Sequence, residues 1–337
     1  MNSQSNNLPL SVLDLVPVLA GKTVQEAFVN SLELARYTED LGFKRFWLAE
    51  HHNMPGIASS ATSVLIGYIA GGTSSIRVGS GGVMLPNHAP LVIAEQFGTL
   101  ANLYPGRIDL GLGRAPGTDQ LTAMALRRHL DAGVDNFPQN VQELRRYLST
   151  DNQHSKVRAV QAEGTGIPVW LLGSSNYSAQ LAAILGLPFS FASHFAPSML
   201  FSSLKLYRET FEPSEAMAAP HTMAVINVIA AETDEEARYL ATSLYQSFLN
   251  VIKGKALPMQ PPVNNIDEYW NEPEKYAVTQ MLTYTFIGSA DTVEKQIHQF
   301  LDQTRVDELM VTSPVYDHQA RLRSYEILAG LSLQKAR

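Results

Sequence analysis

The stretch FKRFWLAEHHNMPG, Phe43 to Gly56, indicates the fold more clearly than any other part of the sequence. Its segment Arg45–Ala49 is apolar and aromatic, as expected of a buried β-strand. Three ionisable residues follow at once, Glu50, His51 and His52. A strand that ends in such side chains is typical of parallel α/β proteins, where functional groups collect at the carboxyl ends of the strands.

Similar β-rich runs recur along the chain, and helical patterns separate them. This alternation indicates βα units around a parallel sheet. The strands number about eight, which closes a (β/α)8 barrel, the TIM barrel of α/β proteins. The predicted strands are Ser11–Val16, Arg45–Ala49, Ile76–Leu85, Arg107–Gly113, Pro168–Gly173, Phe189–Ser193, Thr222–Ala230 and Val306–Thr312.

Helix starts and two long connections complete the predicted architecture. Thr23–Glu26 and Thr233–Glu236 have the spacing of a capping box, in which Thr and Glu side chains bind free backbone N–H groups. The connections Ala115–Ile167 and Ala231–Arg305 are extended loops after the fourth and seventh predicted strands, and loops of that length are usually lids or binding loops. No linker interrupts the pattern, so a single domain over residues 1–337 is expected.

The composition argues against several classes of partner and site. The formal net charge is −7 and Lys and Arg are not clustered, which argues against nucleic acid. Cysteine is absent, which rules out disulfides and thiolate metal sites and fits a reducing compartment. The opening MNSQSNN does not resemble a signal peptide, and the apolar run Ile57–Gly72 is too short to cross a bilayer. We therefore expect a cytoplasmic protein without a membrane partner.

Serines and an arginine at two neighbouring strand ends suggest an anion site. Ser174, Ser175 and Ser178 surround the predicted start of a helix, whose free N–H groups and dipole favour an anion. Arg114 at the preceding strand end could bind the same anion through its guanidinium. Together they indicate a phosphate monoester. The alternative is an ordinary serine N-cap beside a salt-bridged arginine.

Glycines also mark the predicted strand ends. Gly81 and Gly82 interrupt a β-rich run, and Gly111 and Gly113 alternate in the next strand. Glycine lets a flat ligand approach the backbone closely. It equally marks a bulge or close packing against a bulky neighbour, and the sequence leaves both interpretations open.

The two histidines weaken a metal interpretation. His51 and His52 are adjacent, so on an extended strand at most one of them faces the barrel mouth. Later candidates, His194, His221 and Asp109, lie at unsuitable strand positions, and no metal is expected. Beside a phosphate site, one histidine at a strand end is better explained by a proton-handling role.

At this point the sequence resembles the bacterial-luciferase-like flavin-dependent oxidoreductases. The similarity runs from LSVLDLVPV through WLAEHHN and RVGSGGVMLPNHAPLVIAEQFGTLANLYPGRIDLGLGRAPGTD to PVWLLGSSNYS, LPFSFASHFAP and IGSADTVEKQIHQF. The resemblance implies a TIM barrel that holds FMN at its carboxyl-terminal rim, in a homodimer.

The resemblance also implies roles for individual residues. His51 matches the family's catalytic histidine, which handles a proton near the flavin C4a position. Gly81 and Gly82 match a non-prolyl cis peptide beside the flavin ring. The implied phosphate and cofactor contacts are Arg114, Gly173, Ser174, Ser175 and Ser178, and Arg127 and Arg128 are candidates for a second phosphate arginine. Gly113 replaces a reactive cysteine of luciferase, so light emission is not implied.

The implied chemistry is that of a flavin monooxygenase. Reduced FMN from a separate flavin reductase would react with O2 to give a C4a-peroxyflavin, which oxygenates a small apolar substrate. One alternative is a dehydrogenase or reductase that uses the deazaflavin F420 for hydride transfer. Another is a flavin-binding protein without enzymatic activity.

Overall fold

The computed structural model describes residues 7–115, 117–126 and 136–335. Ten parallel strands form one sheet, and eight of them close into a barrel, because the last strand of the chain pairs with both the first strand and the eighth. The other two strands, the fourth and the ninth, each pair with one barrel strand. This confirms the predicted (β/α)8 fold. The strands are β1 Leu10–Asp14, β2 Arg45–Leu48, β3 Arg77–Ser80, β4 Val83–Met84, β5 Ile108–Gly113, β6 Val169–Gly173, β7 Phe189–Phe191, β8 Thr222–Ala230, β9 Thr285–Gly288 and β10 Glu308–Thr312.

Helices surround the barrel and follow most of its strands. They are α1 Val24–Asp40, α2 Thr62–Gly72, α3 Pro90–Leu103, α4 Gln120–Leu126, α5 Phe137–Leu148, α6 Asn176–Ile184, α7 Leu200–Glu209, α8 Asp234–Ile252, α9 Glu272–Met281, α10 Ala290–Thr304 and α11 His318–Ala329. Both long connections contain helices, α4 and α5 in the first and α8, α9 and α10 in the second. Over the described ranges no helix combines the length and apolar character needed to cross a membrane.

The third strand was predicted as one continuous element, and this prediction was wrong. The run Ile76–Leu85 forms β3 and β4, separated by the Gly81–Gly82 peptide. After this break the chain pairs further along β5, where Val83 lies opposite Leu112. The strand β9 was not predicted. It pairs with the carboxyl-terminal part of β8, beyond the residues that pair with β7.

Inward-facing side chains of the barrel form one apolar cluster. Trp47 of β2 meets Trp170 of β6 edge to face, with ring centroids 5.2 Å apart. The other buried members alternate along their strands, as side chains of a β-strand must. They are Leu13, Ala49, Met223, Val225 and Met310. The cluster shows which residues of each strand face the interior.

A buried ionic network closes the amino-terminal end of the barrel. Arg45, the first residue of β2, lies 2.8 Å from Glu308 and 2.6 Å from Asp109. Asp109 also accepts hydrogen bonds from Arg77, at 2.6 Å, and from the Trp47 indole N–H, at 3.1 Å. Because each buried charge has an opposite charge beside it, the network satisfies groups that would be costly to bury alone.

Glu308 is the second anion of this network. Ser11 donates to its carboxylate at 2.5 Å and Lys44 at 3.0 Å, and His221 Nε2 lies 3.6 Å away. Burial alone would raise the pKa of Glu308, but the neighbouring His221, Arg45 and Lys44 hold it at about 2. Asp109 and His221 thus lie at the barrel end opposite the carboxyl rim, as their strand positions predicted.

The two predicted capping boxes differ in the structure. At α1 the box is complete, because Thr23 accepts from the Glu26 N–H and Glu26 accepts from the Thr23 N–H. At α8 the Thr233 hydroxyl accepts from the Glu236 N–H, and the reciprocal bond is not formed. The second prediction was therefore half right.

Candidate active site

His51 lies just beyond β2 at the carboxyl-terminal mouth of the barrel. It continues the inward alternation of Trp47 and Ala49 and is half-buried. Its Nδ1 lies 3.3 Å from the Gly117 carbonyl oxygen. Because a carbonyl only accepts, this contact requires the proton on Nδ1 and leaves Nε2 as a hydrogen-bond acceptor. Burial, with a smaller effect of His52, lowers the pKa of His51, so the ring is neutral at pH 7.

Glu50, between β2 and His51, is buried. One carboxylate oxygen accepts from His88 Nε2 at 2.8 Å and from His52 Nε2 at 2.9 Å, and the other accepts from the Met84 N–H at 3.1 Å. Burial works to raise the pKa of Glu50, but these donors hold it below its usual range. The ionised carboxylate therefore joins the end of β2 to β4.

The two adjacent histidines make different contacts. The His52 ring binds the Glu50 carboxylate, and the His51 ring binds the Gly117 carbonyl oxygen. Roles for Glu50 and His88 were not predicted from the sequence. A carboxylate beside two histidines at a strand end was the available signal, but His88 joins it from a different loop.

A segment after β5 holds the His51 backbone and ring. Gly117 accepts from His51 Nδ1 and from the His52 N–H, and the Thr118 hydroxyl donates to the His52 carbonyl at 3.0 Å. Gly117 has φ +63°, and a Cβ there would lie 2.9 Å from the Glu50 carbonyl oxygen. Gly117 is therefore required both by its conformation and by close packing. The sequence reading missed this role.

The peptide bond between Gly81 and Gly82 is cis. A Cβ on Gly81 would lie 2.7 Å from Leu13 Cδ1, and a Cβ on Gly82 would lie 2.8 Å from the Gly111 carbonyl oxygen. Close packing within the barrel, one of the two interpretations open from the sequence, therefore accounts for both glycines. The pair lies between β3 and β4 at the carboxyl-terminal side of the barrel.

Arg114 follows β5 and stacks over Tyr177, the second residue of α6, with its guanidinium carbon 4.1 Å from the ring centroid. Over the described residues Arg114 makes no salt bridge. Ser175 is the N-cap residue of α6, but its side chain makes no capping hydrogen bond. Within the described ranges, therefore, neither a serine side-chain cap nor a salt bridge of Arg114 is found, and the guanidinium lies beside the amino terminus of α6.

The remaining predicted contacts lie at the same corner. A Cβ on Gly173 would lie 2.3 Å from Ser178 Cβ, so glycine lets the buried Ser178 pack against the end of β6. Ser174 is half-buried between them in the chain. Arg127 and Arg128 lie outside the described residues. In the described part of the chain no group of three or more His, Asp and Glu side chains could hold a metal ion.

The chain matches the family model of luciferase-like monooxygenases over residues 9–308. A luciferase-like monooxygenase of Escherichia coli strain K12 is 54% identical over 320 residues, which cover 95% of this chain and 96% of that protein. An N-acetyl-S-alkylcysteine monooxygenase of Bacillus subtilis is 31% identical over 337 residues, which cover 97% of this chain and 99% of that protein.

Among solved structures, one is similar in both sequence and fold, and two others are similar in fold. The structure of apo-MsnO8 is similar with a TM-score of 0.89 and 36% identity, over 96% of this chain and 97% of that chain. At 15% identity, the oxygenating constituent of 3,6-diketocamphane monooxygenase from Pseudomonas putida, in complex with FMN, has a TM-score of 0.70 over 97% and 99% of the two chains. An F420-dependent secondary alcohol dehydrogenase, also 15% identical, has a TM-score of 0.68 over 96% and 99%. The last two show the fold alone.

Proposed function

We propose, from the premise that the chain belongs to the luciferase-like monooxygenase family, that it is an FMN-dependent monooxygenase that oxygenates a small, mainly apolar substrate. One observation carries the proposal. A neutral histidine with a free acceptor nitrogen and an anion site of Arg114 and the α6 amino terminus lie at the same end of the barrel. The anion site would hold the flavin phosphate, and the histidine would handle a proton beside the flavin ring.

The residues at the mouth fit FMN. Arg114 can bind a phosphate, and the first N–H groups of α6 point toward an anion at its amino terminus. Ser174, Ser175 and Ser178 would supply hydroxyl groups at the same corner. The Gly81–Gly82 peptide and Gly173 would contribute backbone contacts to the rest of the cofactor. Bound reduced FMN supplies the electrons that activate O2.

In this proposal His51 is the catalytic residue. Its Nε2 accepts a proton at the reacting centre, while Gly117 holds the Nδ1 proton and thereby the orientation of the ring. Glu50 is a positioning residue, because it fixes the backbone on which His51 stands. The apolar interior below the mouth keeps water away from the reaction.

The first test is a titration of the purified protein with FMN, reduced FMN and F420, followed by rapid mixing of the reduced FMN complex with O2. We expect tight binding of reduced FMN and a transient absorption spectrum that differs from those of reduced and oxidised FMN. Preference for F420 without such a transient would assign the protein to hydride transfer instead. Binding of flavin without any reaction with O2 would indicate a flavin-binding protein.

Replacing Arg114 tests the phosphate site. We expect Arg114→Met to weaken FMN binding about tenfold to a hundredfold, since hydrogen bonds to charged groups contribute about 1.5–3 kcal/mol. Riboflavin, which lacks the phosphate, should bind both proteins equally. Arg146→Met is a matched control, because Arg146 also stacks on a tyrosine, Tyr147, but on α5. Equal losses of FMN and riboflavin affinity would contradict the assignment.

A partner reductase follows from the proposed chemistry, since reduced FMN must be supplied to the enzyme. The absence of cysteine fits a reducing compartment, and we place both proteins in the cytoplasm. Purified protein should therefore need an added flavin reductase with its nicotinamide cofactor for sustained turnover. Dithionite-reduced FMN should replace that reductase for a single turnover.

A homodimer through α2 is the second partner proposal. This helix, TSVLIGYIAGG, is apolar on all sides, which is typical of a helix covered all round. Val64 and Tyr68 are nevertheless 70% and 43% exposed on one face, and Val92 of the neighbouring α3 is 44% exposed. A second copy that covers this surface would remove the apolar side chains from water.

Charge introduced on this surface should separate the subunits. We expect wild-type protein to sediment as a dimer and Val64→Arg to sediment as a monomer, because an arginine would be buried without a partner. Val251→Arg is the control, since Val251 is 63% exposed on α8, which follows a strand on the opposite side of the barrel. A monomeric wild type, or a dimeric Val64→Arg protein, would contradict this interface.

A further inference from the structure

A second histidine, His194, lies at the mouth just beyond β7. The chain turns there, and two hydrogen bonds to β8 hold the turn. The Ser193 hydroxyl donates to the Val225 carbonyl at 2.6 Å, and the Asn227 amide donates to the His194 carbonyl at 2.7 Å. Asn227 follows Met223 and Val225 in the inward alternation of β8. His194 is therefore anchored to the inner face of the barrel at its carboxyl-terminal end.

The imidazole of His194 is neutral and incompletely bonded. Its ring meets Phe195 edge to face with centroids 4.8 Å apart. Its Nδ1 is buried and has no hydrogen-bond partner among the described residues. Burial, and to a smaller extent the nearby His51, lower the pKa of His194 to about 3. His51 follows β2 and His194 follows β7, and these strands lie on opposite sides of the barrel.

The unpartnered Nδ1 determines the tautomer. A neutral imidazole carries one N–H, and an N–H buried without an acceptor is rarer and costlier than an unpaired lone pair. The proton of His194 is therefore on Nε2. His51 has the opposite tautomer, because its Nδ1 donates to Gly117. The mouth thus offers an acceptor, His51 Nε2, and a donor, His194 Nε2–H.

We infer that His194 donates a hydrogen bond from Nε2 to an oxygen atom of a molecule bound in the mouth, opposite His51. The acceptor is a carbonyl or carboxylate oxygen, supplied by the substrate or by the flavin ring. A wholly apolar substrate would leave this donor unpaired once water is expelled, unless the flavin binds it. The inference rests on the proposed flavin site. It requires that the flavin or the substrate bound there place an oxygen atom next to His194 Nε2.

Two variants of the full-length protein separate the donor from the ring. His194→Phe keeps a planar ring and removes the N–H, and His194→Gln keeps an N–H donor. We would measure their affinities for reduced FMN. With reduced FMN bound and O2 excluded, we would then compare 2-hexanone with its oxygen-free analogue 2-methyl-1-hexene. Far-UV circular dichroism and thermal melting check that both variants fold.

The expected result is a loss confined to oxygen-bearing ligands. Losing one hydrogen bond should weaken binding about fivefold to tenfold in His194→Phe, and His194→Gln should restore it. A loss for reduced FMN identifies the flavin as the source of the oxygen. A loss for 2-hexanone alone, with unchanged binding of the alkene, identifies the substrate. If His194→Phe binds reduced FMN and both probes like wild type, the inference is wrong.

Nitrogen NMR of protein labelled in its histidines gives an answer that does not depend on the choice of probe. With the signal assigned through His194→Phe, we expect His194 to stay neutral with its proton on Nε2 between about pH 5 and 8. A proton on Nδ1, or a charged ring, would overturn the inference whatever the binding data show. Failure of wild-type protein to bind reduced FMN would instead refute the proposed function.

Discussion

His51→Ala should lower turnover by about a hundredfold to ten-thousandfold, the usual contribution of a general acid or base. Affinity for FMN should stay near that of wild type, because the proposed phosphate contacts, Arg114 and the amino terminus of α6, do not include His51. Turnover of the reconstituted reaction and fluorescence titration of FMN measure the two effects separately. His154→Ala, at an exposed histidine after α5, should change neither quantity.

The pH profile provides a second check on His51. Its pKa lies below the ordinary value of 6.5, so the neutral, proton-accepting form persists in mildly acidic solution. The acid limb of turnover in wild type should therefore lie below pH 6.5 and should vanish in His51→Ala. If flavin affinity collapsed in His51→Ala while the rate of the bound complex was unchanged, His51 would be a cofactor ligand and not the catalytic residue.

The largest effect on stability is expected at the other end of the barrel. Glu308→Gln removes a buried negative charge that lies 2.8 Å from Arg45 and 3.0 Å from Lys44. Arg45 would keep only Asp109 as an anionic partner, and breaking a buried ion pair by removing one member costs about 3–5 kcal/mol, a large part of the stability of an ordinary protein. Urea unfolding of both proteins at pH 7 would measure the difference in the free energy of unfolding.

Glu209→Gln is the control, because Glu209 forms an exposed pair with Lys205 at 3.8 Å and should contribute less than about 1 kcal/mol.

The pKa of Glu308 is depressed from 4.5 to about 2. Its stabilising effect is therefore present above pH 4.5 and is lost as the pH falls through about 2. The gap between wild type and Glu308→Gln should narrow over that range. If Glu308→Gln and Glu209→Gln lowered the free energy of unfolding equally, Glu308 would contribute no more to stability than an exposed ion pair does.

The sequence predicted the barrel because its signals are local. Each inner strand is an apolar run, and Thr222–Ala230 was predicted with the bounds that the structure shows. The strand β9 was missed because it has four residues, two of them only partly buried, and lies in a connection read as a loop. The break between β3 and β4 falls at Gly81 and Gly82, which the sequence marks as a bulge or a close contact but not as the end of a strand.

The site was less predictable, because its contacts join distant parts of the chain. His51 and Arg114 could be recognised where they finish predicted strands. Glu50 could not be assigned a role, since its partner His88 comes from a loop after β4. Gly117 was equally hidden, because its function lies in its carbonyl oxygen, which every residue has. A pattern of side chains in a sequence does not show the direction of a backbone carbonyl group.

The segment Gly117–Asp119 places a constraint on protein engineering. Gly117 and Thr118 bind the two histidines after β2, and Asp119 accepts a hydrogen bond from Asn53 at 3.1 Å. These three residues also belong to the first part of the long connection after β5. Anyone who exchanges that connection with a relative's to alter substrate range should therefore join the chains after Asp119. A junction before Gly117 would exchange the hydrogen bonds of His51 and His52 together with the rest of the connection, and any change in rate could then not be attributed to either.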